Sequence, residues 1–142
     1  MRFHPPSIVA GALAGALTIG VVSFTSIGTR PTEAQADAVL QAQKAQVMIA
    51  TYQLDNSAFH DLDVKLNAGE FVPGALGRVR RGRIATQSTT WPADLQATAD
   101  QLVQEMTALE AALRDENVAA AAPRALEMHE IYHGLSDKAY AW

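Results

Sequence analysis

Between Leu95 and Leu113, apolar residues return in two interleaved rows, with Leu95, Leu102 and Leu109 in one and Ala99, Met106 and Leu113 in the other. Rows spaced by sevens form the seam of a helix packed lengthwise on other helices. They exclude a strand, whose faces alternate at every second residue. Pro92 stands where the first helical turn tolerates a missing amide hydrogen, so a helix is predicted over 92–117.

The rest of the chain follows the same period. Thr32 and Gln35 spell a capping box, and Leu40, Val47 and Leu54 then recur at sevens before the stripe shifts to Phe59, Leu62 and Leu66. These residues predict one long helix over 32–68, stopped by Gly69, with its first half as a stalk. A short helix is predicted over 75–87 between turns rich in proline and threonine, and a last one over 118–142, with Pro123 admissible only near its start. The expected fold class is all-α: a single N-terminal transmembrane or signal helix followed by an antiparallel three- to four-helix bundle.

The N-terminal part of that expectation rests on residues 1–30. From Ser7 to Ile27 no charge interrupts a run of 21 residues, which as a helix spans about 30 Å, the thickness of a bilayer's hydrocarbon core. Arg2 ahead of the run places the short tail inside, so residues 31–142 are expected to be exported. The run is long for the core of a cleaved signal, and the reading chosen is an uncleaved anchor. The implied location is single-pass in the cytoplasmic (inner) membrane with an exported C-terminal domain, or secreted if the segment is cleaved. Gly11 and Gly15 within it are spaced for close helix approach.

Composition removes several classes of function. A formal net charge of −4 argues against a nucleic-acid partner, and the absence of cysteine excludes disulfides, thiolate metal sites and covalently attached haem. The segment with most chemistry is His129-Glu130-Ile131-Tyr132-His133, which reads HExxH. Histidines four residues apart on a helix present both imidazoles to one side, which is why this spacing serves zinc hydrolases, with Glu130 as the general base. The resemblance to zinc peptidases covers these five residues alone.

Projected at about 100° per residue, His129, His133, Ser136 and Tyr140 share an edge beside the core stripe of Met128, Ile131, Leu135, Ala139 and Trp142. His60 falls at a comparable height of the bundle. A metal site of His60, His129 and His133 for zinc or copper(II) is therefore weighed, with Asp61 or Asp63 as a further ligand or as the acceptor that orients an imidazole. The plainer reading makes these histidines members of a hydrogen-bond network. Haem held by Met48, Met106 or Met128 is the least favoured cofactor, since seam methionines usually pack.

Arg78, Arg80, Arg81 and Arg83 crowd into six residues of an otherwise acidic chain. They are read as an anion or partner contact, with two of them expected to pair with Asp61, Asp63 and Glu70. Trp91, Trp142, Tyr52, Tyr132 and Tyr140 are read as packing residues, each polar tip wanting a partner. The combined expectation is a membrane-anchored accessory protein, more a binder than an enzyme, with a protein partner in the membrane or periplasm. The alternatives are a periplasmic zinc or copper bundle and an HExxH hydrolase.

Overall fold

Thr32 caps the first helix as its sequence predicts. Its hydroxyl accepts from the Gln35 amide at 3.3 Å, and the Gln35 side-chain oxygen accepts from the Thr32 amide at 2.9 Å. The computed structural model describes residues 32–142. They form α1 (Glu33–Asp55), α2 (Phe59–Asn67), α3 (Ala75–Ser88), α4 (Ala93–Arg114) and α5 (Val118–Ala141).

The helix expected over 32–68 is thus two helices. At Asn56-Ser57-Ala58 local polar side chains capture backbone carbonyls: Asn56 Nδ2 donates to Tyr52 O at 2.7 Å and the Ser57 hydroxyl to Gln53 O at 2.8 Å. Such bonds compete with helix continuation, and Ala58 takes a left-handed conformation with φ of 52°. The break redirects the chain so that the Phe59–Leu62–Leu66 stripe turns onto α5. The result is a four-helix bundle whose first member is broken in two. α3 packs on α4, α4 on α5 and α5 on α2, while α1 touches α3 and α5. Gln43 reaches Thr90 beyond the end of α3, and Ser57 lies beside Arg81 in the same helix, so α1 and α3 run antiparallel.

Both predicted rows of α4 are inside: Leu95, Ala99, Leu102, Met106, Leu109 and Leu113 are all buried. They meet Val47 and Leu54 of α1, Phe59, Leu62 and Leu66 of α2, Val79 of α3, and Met128 and Leu135 of α5 in one core. Gly82 of α3 marks the tightest approach, since a Cβ built there meets the Phe59 ring at 2.7 Å. Leu40, grouped by its spacing with Val47 and Leu54, is 42% exposed. Residues 33–42 of α1 are exposed throughout.

The membrane-anchored fold class is corrected here. Among the described residues no helix is long and apolar enough to cross a membrane. The 1–30 segment, on which the anchor, the Gly11/Gly15 pair, the single-pass topology, the exported location and the membrane or periplasmic partner were built, lies outside the described residues. What the described residues support is an all-α helical bundle.

Candidate functional site

The C-terminal half of α5 turns one polar edge toward the junction of α1 and α2. Asp63, buried on α2, has its Oδ2 3.2 Å from His129 Nδ1, and its Oδ1 accepts from Asn67 Nδ2 at 2.7 Å. A carboxylate accepts only, so His129 donates to Asp63 through Nδ1. Its Nε2 lies 2.9 Å from His133 Nε2, close enough for one of the two to donate to the other. His129 thus links Asp63 of α2 to His133 one turn along α5. The His60 ring sits 5.1 Å from the His129 ring.

One turn toward the C-terminus, Asp55 at the end of α1 accepts from the hydroxyls of Tyr132 and Tyr140, and from Ser136 at 3.4 Å. Tyr132 also meets Phe59 edge-on, with ring centroids 5.6 Å apart. The two carboxylates therefore tie both sides of the chain break to α5. Partial burial, then the hydrogen bond to Asp55, push the Tyr132 phenol well above its ordinary value; for exposed Tyr140 the bond to Asp55 comes first. Raised values favour the neutral phenol, so this contribution to stability is fully present below about pH 10, where an unfolded tyrosine titrates. It is lost as pH rises through the folded values. The protein is expected to show an alkaline unfolding limb that starts above pH 10. Tyr132→Phe should lower stability at neutral pH and flatten that limb, as read from denaturant midpoints alongside phenolate absorbance.

The structure brings the rings of His60, His129 and His133 together, but not as a ligand set: His129 and His133 are hydrogen-bonded to each other, and His60 lies beside the His129 ring. Both nitrogens of His129 are engaged, one by a carboxylate and one by its neighbour, so the imidazoles point at each other instead of at a common centre. Among the described residues no group of three or more His, Cys, Asp or Glu is placed to hold a metal ion. The zinc or copper expectation, and the metal hydrolase that depended on it, are corrected accordingly. Asp61 is taken by Lys65 at 3.1 Å, and Glu130 is exposed. Met106 and Met128 are packed in the core, while Met48 is 43% exposed.

The arginines part company. Arg83 Nε lies 2.5 Å from Oε1 of Glu110, a carboxylate buried on α4, and its Nη1 donates to Gln87. The anticipated pairing with Asp61, Asp63 or Glu70 does not occur. Among the described residues Arg78, Arg80 and Arg81 have no carboxylate within 4 Å. Arg81 lines a groove of about 530 Å³ between α1 and α3, with Tyr52, Gln53, Ser57, Ile84 and Ala85.

Beside that groove lies a surface the sequence rows did not reveal. On the face of α1 opposite its core stripe, Ala38, Ala42, Ala45, Met48, Ile49 and Tyr52 are all exposed. Ile49 is 59% and Tyr52 67% exposed, and Ile84 of α3 adds a further 51% exposed side chain across the groove. The 4-3-4-3 spacing of Ala38, Ala42, Ala45, Ile49 and Tyr52 is a heptad seam turned toward water. The signal was present as a second apolar stripe, masked by the stronger Val47–Leu54 row. No family model, curated protein or solved structure matches this chain.

Proposed function

We propose that this protein works by helix-mediated association, with the outer face of α1 and the α1–α3 groove as its docking surface. The observation that carries the reading is the exposed seam from Ala38 to Tyr52. A helix that already buries Val47, Ala50 and Leu54 on one side has no internal reason to be apolar on the other. Contiguous exposed apolar patches mark interaction sites, and a heptad spacing selects an α-helix as the occupant. The His–Asp–Tyr cluster supports this role from behind, because it holds the end of α1 and the start of α2 rigidly against α5.

A photoreactive side chain at position 52 of the full-length chain, expressed in its native cells, tests the surface. Discrete adducts are expected there, absent from the same probe at Glu127 on the exposed side of α5 and abolished by Ile49→Asp. Adducts shared with position 127, or indifferent to Ile49→Asp, contradict the reading.

A further inference from the structure

The exposed seam of α1 is graded. Its N-terminal half is small, with Ala38 and Ala42, and its C-terminal half is large, with Met48, Ile49 and Tyr52. We infer that the occupant of this surface is a second copy of the chain, its α1 packed antiparallel on the first about a two-fold axis through Ala45. The inference rests on the docking reading above and names the partner.

Reversing the stripe against itself sets Ala38 opposite Tyr52 of the other copy, Gln41 opposite Ile49, and Ala42 opposite Met48, with Ala45 facing Ala45 at the axis. Every large residue among these then meets a small or unbranched one, the interdigitation that helix interfaces need. A parallel pair instead stacks Tyr52 on Tyr52 and leaves a gap at Ala38. A two-fold interface must be self-complementary, and this gradient is.

Charge and shape along the axis agree. Glu33 and Asp37 lie in the first turns of α1, where among the described residues they have no cationic partner within 4 Å. The antiparallel arrangement carries that acidic end to the end of the other copy's groove, where Arg81 lacks a carboxylate. It also lays residues 33–42, exposed in the single chain, along the groove, with Val39, 69% exposed, on the edge that faces Ile84. Overlap along a helix of about 35 Å covers roughly 600 Å² per copy, at the low end of stable interfaces. The dimer is therefore reversible and concentration-dependent.

The chain has no cysteine, so single cysteines can be placed freely. Sedimentation velocity of the purified full-length protein is expected to show a monomer–dimer equilibrium that shifts at least tenfold toward monomer in Ala45→Glu, an exposed helical change that puts like charges together at the axis. With a short bifunctional thiol reagent, Ala45→Cys should link to itself. Ala38→Cys should not, because its symmetry mates stand about 20 Å apart along the axis, but it should link to Tyr52→Cys in a mixed sample. A protein that stays monomeric at all concentrations, or self-linking at Ala38, overturns the inference. Adducts to a different protein at position 52, from a chain that is monomeric, overturn the second copy and leave the docking surface standing. Loss of both adducts and dimer removes the docking reading as well.

Discussion

Phe59→Ala is expected to lower the free energy of unfolding by about 3–5 kcal/mol, a large share of the 5–15 kcal/mol typical of a domain. Phe59 is the first residue of α2 and is 2% exposed. Its ring meets Tyr132 of α5 on one side and lies against Gly82 of α3 on another. Walls supplied by separate helices cannot collapse together into the space a lost ring leaves, so the cavity cost adds to the lost burial. Phe59→Leu keeps most of the volume and should cost less than half as much. Denaturant unfolding of the full-length chain measures both. A loss below about 1 kcal/mol for Phe59→Ala would mean that α2 is not docked as described.

Arg83→Ala should cost about 2–4 kcal/mol for a different reason. Glu110 is buried at 6% exposure, and its carboxylate is met by the Arg83 guanidinium, which keeps one edge toward solvent and Gln87. Removing the cation alone strands a charge out of water, whereas removing both charges does not. The double change Arg83→Ala/Glu110→Leu is therefore expected to recover most of the loss, and the cycle completed by Glu110→Leu alone reads the coupling directly. If the single and double variants are equally destabilised, packing by the arginine stem rather than its charge holds α3 to α4.

This pair shows where sequence reasoning stopped. Clustering of the arginines was plain, and pairing of some of them was anticipated, but with Asp61, Asp63 and Glu70. The pairing depends on which helix lies beside α3, and Glu110 enters only because α4 does. Asp55 is a similar case. The edge shared by His129, His133, Ser136 and Tyr140 was legible from helical periodicity, and the hydroxyls of Tyr132 and Tyr140 were expected to want partners. Their common acceptor lies 77 and 85 residues away in sequence and nothing local points to it. The convergence of His60 with His129 followed from counting helical rise. That His129 is instead hydrogen-bonded to His133 and Asp63 depended on the ring orientation that Asp63 imposes.

By itself the sequence determined what short-range physics can determine. The capping box at Thr32, the heptad rows of α4, the stop at Gly69 and the apolar stripe of α5 each follow from the 3.6-residue period and from backbone bonds within a few residues. Tertiary structure decided the break at Asn56–Ala58: the Asn56 and Ser57 bonds permit it, and burial of Phe59, Leu62 and Leu66 against α5 offsets the left-handed Ala58 that it requires. It also decided which apolar stripe of α1 is core and which is surface. Both stripes repeat at helical spacing, and only the positions of α3 and α5 distinguish the buried Val47–Leu54 face from the exposed seam between Ala38 and Tyr52.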